Sequence, residues 1–190
     1  MNISAVILAG GKSSRMGRDK AWLEVGGKSL LARQIGIVRE FGAAEIFISG
    51  RVDVDYSGFG HRVLQDKFPD AGPLAGIECA LNSISTPLLL VLAVDLPEMN
   101  VKFLRQLAMH CTENLGAIPR VNGNIEPLAA FYQIAAQPLA ETLLRAGGNA
   151  VSTFAERCVQ SGLAGFVDFP GCEVKYFTNW NSPADLSCLS

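Results

Sequence analysis

The sequence predicts a three-layer α/β fold on a mostly parallel central sheet, with a small antiparallel excursion in its C-terminal half. Three observations point there. Residues 5–9 and 87–94 are apolar on both strand faces, as in parallel strands covered by helices on each side. Strand-like and helix-periodic segments alternate between and around them, which is the pattern of βαβ crossovers. Asn122-Gly123, between two β-rich stretches, is a strong hairpin signal and introduces antiparallel pairing. A chain of 190 residues, 49% hydrophobic, suits one domain, residues 1–190, with a sizeable core.

The first strand, residues 5–9, ends in Gly10-Gly11. A loop follows that carries Lys12, Arg15, Arg18 and Lys20, with Ser13, Ser14 and Gly17 between them. Glycines let a backbone approach a ligand and turn N–H groups toward it, and clustered cations call for an anion. The position, at the carboxyl end of a central strand, is where open α/β sheets bind ligands. Residues 23–27 read as a short element and a turn. Residues 29–41 form a helix with Leu30, Leu31, Ile35, Val38 and Phe41 on one face, stopped by Gly42. Residues 45–49 are the second strand, 52–60 a loop, and 62–65 a short strand ending at Asp66.

A shaped loop with two prolines and two glycines, residues 66–77, feeds a helix at Pro73 whose buried stripe is Ile77, Ala80, Leu81 and Ile84. Residues 87–94 are the clearest central strand, closed by Asp95-Leu96-Pro97. A carboxylate at the end of a buried strand is costly unless it meets a cation or donors. Magnesium takes few protein carboxylates and completes its shell with phosphate and water, so Asp95 is the candidate metal ligand. Asn100 caps a helix running to Met109, with Leu104, Leu107 and Ala108 inward. Residues 115–119 and 125–132 read as strands, 137–145 and 151–159 as helices, and 165–169 and 173–177 as strands. Ser182, Pro183 and Asp185 have the chemistry of a final helix start.

Two common phosphate loops are excluded. A Walker A loop needs a glycine where Val6 stands, and a dinucleotide fingerprint begun at Gly10 needs glycines where Lys12 and Arg15 stand. What remains is Leu-Ala-Gly-Gly-x-Ser-x-Arg-Met-Gly-x-x-Lys over residues 8–20. This resembles the signature loop of nucleotidyltransferases that activate a phosphorylated acceptor with a nucleoside triphosphate. Its spelling is similar to the molybdenum cofactor guanylyltransferase family. Gly-Pro-Leu-Ala-Gly at 72–76, Val-Asp-x-Pro at 94–97, Pro-Leu-x-Ala-x-Tyr at 127–132 and Asn-x-Asn-x-Pro at 179–183 extend the resemblance over nearly the whole chain. Ser49 departs from some relatives, which carry asparagine there.

The resemblance implies a Rossmann-like nucleotidyltransferase with an N-terminal nucleotide half and a C-terminal acceptor half. It implies GMP transfer from GTP to the phosphate of the molybdopterin-bound cofactor, with release of pyrophosphate. Leu8, Ala9, Gly10 and Gly11 would present backbone to the nucleotide, and Pro73, Leu74 and Gly76 would line its base pocket. Arg15 and Lys20 would clamp phosphates, Asp66 would contact sugar or base edge, and Asp95 would hold magnesium. Asn179 and Asn181 would lie near the acceptor. The implied partners are GTP, a molybdopterin-type cofactor and molybdoenzyme-maturation proteins. A phosphate monoester nucleophile, with a second pKa of about 6, needs no strong general base. Three rivals stay open at this point: a cytidylyltransferase on the same cofactor, a sugar-1-phosphate nucleotidyltransferase, and a GTP-binding module without transfer. The last lacks both a Walker A loop and an Asn-Lys-x-Asp base motif.

Bulk properties exclude other classes. A net charge of −2 provides no excess to neutralise a nucleic-acid backbone. Cys79, Cys111, Cys158, Cys172 and Cys188 are scattered, form no Cys-x-x-Cys, and read as reduced thiols of a cytoplasmic protein. His61 and His110 have no zinc-ligand spacing to a cysteine pair. The N-terminus has no signal-peptide pattern, and the longest apolar run is strand length, so no membrane association is expected.

Overall fold

A computed structural model describes residues 2–10, 20–68 and 70–178. The strands among the described residues are β1 (Ile3–Leu8), β2 (Glu24–Val25), β3 (Lys28–Ser29), β4 (Ile46–Ser49), β5 (Arg62–Leu64), β6 (Leu88–Ala93), β7 (Gly116–Val121), β8 (Asn124–Ile125), β9 (Ala129–Gln133) and β10 (Ala164–Phe169). The helices are α1 (Leu30–Phe41), α2 (Pro73–Leu81), α3 (Val101–Ala108), α4 (Gln137–Arg145) and α5 (Val151–Gln160). The main sheet has the order β10-β7-β9-β6-β1-β4-β5, with β8 paired to β7. β1 is parallel to both β4 and β6, β4 to β5, and β7 to β10; β9 is antiparallel to β6 and β7. The expected mostly parallel sheet with an antiparallel excursion is what forms.

Alternation along the strands divides the core in two. Ala5, Ile7, Leu88, Leu90 and Leu92 pack on one face against Leu30, Leu31, Ile35 and Val38 of α1 and Phe103, Leu104 and Leu107 of α3. Val6, Leu8, Leu89 and Val91 pack on the other against α2, α4 and α5. Side chains at successive strand positions point to opposite faces, so each layer of helices has its own set. Local chemistry sets the helix starts. Ser29 Oγ accepts from Ala32 N, Asn100 Oδ1 accepts from Phe103 N, and Pro73 takes the first turn of α2. Gly42, at φ 96°, ends α1 in the left-handed region as expected.

Strand order reverses at β1. The crossover β1-α1-β4 goes one way, and the chain returns through β6 on the other side. The carboxyl ends of β1, β4, β5 and β6 lie on one edge. β7 and β10 end there too, because β7 and β6 are both antiparallel to β9.

Two expectations are corrected. Residues 173–177 are not a strand but part of a 3-10 helix, Gly171–Phe177, whose Tyr176 and Phe177 rings pack on Phe103 at 5.1 and 5.3 Å. Residues 125–132 are not one strand: Asn122 and Gly123, both at positive φ, turn the hairpin into β8, and the chain then breaks at 126–128 before β9. Glu126 N donates to Pro119 O and Ala129 N to Glu126 O, a turn that pulls the chain across the sheet edge to β6. The expected helix beginning at Ser182 lies outside the described residues.

Candidate active site

The reversal at β1 puts the ends of β1 and β6 side by side. Val94 N donates to Leu8 O at 3.1 Å, extending the ladder one step and delivering Asp95 to the edge next to Ala9. From the other side Ala93 N donates to Leu128 O. Lys20 returns to the same place. It opens a 3-10 turn, Lys20–Trp22, anchored by the fully buried Ala21. Its Nζ lies 3.1 Å from Asp95 Oδ2, and about a fifth of each side chain stays accessible. This is the cation that the strand-end carboxylate requires. Residues 75 apart in sequence meet here, both in part accessible to solvent.

The turn that carries Lys20 is braced on both flanks. Leu23 N donates to Lys20 O, and Leu30 N to Leu23 O, tying the turn to the head of α1 through the β2–β3 hairpin. Trp22, 46% exposed, stacks near-parallel with Tyr56 and packs on Phe59 at 5.2 Å. Tyr56 in turn fills the space over Gly50, where a Cβ would stand 2.2 Å from its ring. A cavity of about 300 Å³ lies beyond β4 and β5, lined by Gly50, Arg51, Tyr56, His61 and Gln65 among others.

The remaining expected residues sort as follows. Leu8 and Ala9 are buried and Gly10 is exposed. Ala9 N and Gly10 N both donate to Ser49 O, at 2.8 and 3.0 Å. Those two N–H groups tie the chain after β1 to the end of β4. Leu74 and Gly76 are buried in α2 and Pro73 is exposed at its start. Leu74 belongs to the core, so its side chain is structural. A Cβ on Gly76 would stand 2.2 Å from Ser49 Oγ. Ser49 is thus enclosed between β4 and α2, and its hydroxyl faces the helix. Gly11, Arg15, Asn179 and Asn181 lie outside the described residues.

Asp66 follows β5, three strands from β6. Strands lie about 4.8 Å apart, so roughly 14 Å separates the ends of β5 and β6 along the edge, a span on the scale of an extended nucleotide. Burial of its carboxyl, with the Glu78 carboxylate as a lesser cause, raises the Asp66 pKa to about 6 even though the side chain keeps contact with water. Glu78 is a feature the sequence reading missed. It is buried in α2, its Oε1 accepts from Gln137 Nε2 at 2.8 Å, and its Oε2 has no partner among the described residues. A lone charged residue in the otherwise uncharged stretch 73–81 was the available signal. Also missed were Glu126, pushed up to about 7 by burial, and Arg120, whose guanidinium grips both oxygens of Asp168 at 2.7 and 2.8 Å. Both lie toward the carboxyl ends of β7 and β10, on the half expected to take the acceptor. Tyr132 of the Pro-Leu-x-Ala-x-Tyr stretch is fully buried and donates to Pro127 O, which makes it a structural residue.

The donor set bears on a metal. Among the described residues no group of three or more His, Cys, Asp or Glu is placed to hold an ion. A single part-exposed carboxylate suits a hydrated magnesium shared with phosphate oxygens, and does not suit an all-protein calcium or zinc cage. The residues present therefore fit magnesium carried in with a triphosphate.

The profile of the MobA-like NTP transferase domain matches residues 5–160. The chain is 37% identical over 186 residues to a protein of Opitutus terrae named "Probable molybdenum cofactor guanylyltransferase", covering 96% of this chain and 92% of that one. Among solved structures, molybdopterin-guanine dinucleotide biosynthesis protein A of Archaeoglobus fulgidus superposes with a TM-score of 0.73 at 24% identity, over 96% and 94% of the two chains. The 2-C-methyl-D-erythritol 4-phosphate cytidylyltransferase of Thermus thermophilus gives 0.74 at 19% identity, over 98% and 96%. These two likenesses are of fold.

Proposed function

Because the chain belongs to the MobA-like NTP transferase domain family, we propose that it transfers GMP from GTP to the phosphate of molybdopterin-bound molybdenum cofactor, giving molybdopterin guanine dinucleotide and pyrophosphate. The observation that carries this reading is the Lys20–Asp95 pair, 3.1 Å apart at the point where strand order reverses. The fold likeness extends to guanylyl and cytidylyl enzymes alike. The names of relatives above 30% identity favour guanylate.

The chemistry is a displacement at the α-phosphorus of GTP. An oxygen of the acceptor phosphate forms the new P–O bond, the bond to the β-phosphate oxygen breaks, and pyrophosphate leaves with the electron pair. The nucleophile is already largely dianionic at neutral pH, so no proton has to be removed from it. The obstacle is the approach of one anion to another. Lys20, in reach of the cleft, would neutralise charge on the triphosphate, and Arg15 is assigned the same task from its place in the motif. Asp95 would hold magnesium, which when bound withdraws charge from the phosphate oxygens. Asp66, at the far end of the edge, would accept hydrogen bonds from the base or sugar. Asn179 and Asn181 are assigned to the acceptor. The product passes to molybdoenzyme-maturation proteins in the cytoplasm. Among the described residues no helix is long and apolar enough to cross a membrane.

Rates of labelled guanylate transfer test the assignment. Lys20→Ala and Asp95→Ala should each lower kcat/KM for GTP by a factor on the order of 10²–10³, the usual effect of removing one charge-stabilising group. Folding should survive, since both side chains are part-exposed. Transfer at the wild-type rate by either variant would remove that residue from the site.

A further inference from the structure

Two consecutive residues of α1 reach the turn that follows Asp95. Gln34 Nε2 donates to Leu96 O at 2.7 Å, and Arg33 Nη2 donates to Pro97 O at 3.2 Å. Each does so under unfavourable conditions. Gln34 is fully buried and its Oε1 has no partner among the described residues; Arg33 Nε is buried and has none among them either. A buried amide with half its capacity unmet is a liability that a methionine or leucine would not carry. Gln34 also interrupts the apolar stripe Leu30, Leu31, Ile35, Val38, where packing alone would call for an apolar side chain. Both donors end on adjacent carbonyls, immediately after Asp95.

The turn needs such support. Pro97 has no N–H to contribute, and Leu96 O also receives the Met99 N–H at 3.2 Å, a long bond. β1 holds the near side through Val94 N. The same helix head is tied to Lys20 through the 24–29 hairpin and the Leu30 N–Leu23 O bond. Helix α1 is thus attached to both partners of the ion pair, to one by backbone and to the other by Gln34 and Arg33.

We propose that Gln34, seconded by Arg33, is a positioning residue that holds the Asp95 turn in register with Lys20, so that the Asp95 carboxylate meets the magnesium-bound triphosphate. This rests on the reading of Asp95 as the group that takes magnesium with the nucleotide. The substitution that isolates the role is Gln34→Met, which keeps length and removes both the donor and the unpartnered acceptor.

The test is calorimetric binding of GTP with and without magnesium, beside thermal melts. In the wild type magnesium should tighten GTP binding. In Gln34→Met that gain should shrink by about tenfold, while the melting temperature stays within about 3 °C because loss of the orphaned oxygen offsets loss of the bond. Added to Asp95→Ala, Gln34→Met should cause no further loss, as expected for two residues acting through one carboxylate. Arg33→Met, nearer the surface, should act in the same direction more weakly and serves if Gln34→Met does not fold. A wild-type magnesium gain in both variants, or effects that add to those of Asp95→Ala, would overturn the proposal. So would a wild-type protein whose GTP affinity ignores magnesium. Absence of guanylate transfer with the binding pattern intact would sink the functional reading and leave this inference standing.

Discussion

Asp66 carries a pH signature that can be read directly. Its carboxyl, raised to about 6 by burial and by Glu78, is protonated in the free protein below that value. A raised acid pKa means that ionisation is disfavoured in the fold, so Asp66 contributes a loss of stability as pH rises from its ordinary range through about 6. The sign for binding is opposite. If the carboxylate accepts N–H or O–H groups from the nucleotide, GTP affinity must strengthen as pH climbs through about 6. The terminal phosphate of GTP titrates nearby, so the comparison is with Asp66→Asn. That variant should bind more weakly at pH 7.5 than the wild type and should show a flatter affinity profile between pH 5 and 7. Superimposable profiles would take Asp66 out of the nucleotide site. At this scale the sequence told most where a charge sits at a strand end. Asp95 could be singled out because burial of the strand before it forces the question of what meets the carboxylate, whereas Asp66 follows a strand exposed at Arg62 and Val63 and was reached only through the resemblance. Gln34 and Glu78 were not legible, because each is hidden inside a helix, where its partner is set by tertiary contact and not by spacing.

Helix α2 lies so close to β1 and β4 that its geometry depends on a missing side chain. A Cβ on Gly76 would come within 2.2 Å of Ser49 Oγ and 3.1 Å of Leu8 Cδ2. Ser49 O is the acceptor that holds Ala9 N and Gly10 N, so a shift of Ser49 is felt at the end of β1. Gly76→Ala, which would favour a free helix, should here destabilise by about 1–3 kcal/mol, the usual range for overpacking. It should also weaken GTP binding in calorimetry. A variant as stable as the wild type with unchanged affinity would show that the close approach is not needed. Element types were mostly legible, because periodicity and capping residues act locally: Ser29, Asn100 and Pro73 begin α1, α3 and α2 as their chemistry dictates. Residues 173–177 were misread because a five-residue alternation is shared by a strand and a short 3-10 helix. Packing of Tyr176 and Phe177 on Phe103 decides between them. The stretch 125–132 reads as continuous β in composition, and only the backbone bonds at Glu126 reveal the break.

Across the whole molecule, function follows from where the sheet changes direction. Chain-order neighbours β1 and β4 diverge to one side, and β6 comes back against β1 on the other. The carboxyl ends of β1 and β6 then lie side by side, with helices covering both sides of the sheet. The fold accordingly joins a lysine and an aspartate far apart in sequence without any local motif linking them. This reversal was legible only through the resemblance of the two strand-end motifs, since strand order is a property of the assembled sheet. β9, running against its neighbours, separates β6, β1, β4 and β5 from β7 and β10, which carry the Arg120–Asp168 pair.

The most direct test is to incubate the protein with magnesium, GTP and molybdopterin and weigh the products by mass spectrometry, with CTP in a parallel reaction. The account predicts a pterin heavier by one guanylate together with an equal amount of pyrophosphate, and little product from CTP. Intact GTP beside unmodified pterin, or preferential formation of the cytidylate, would contradict it.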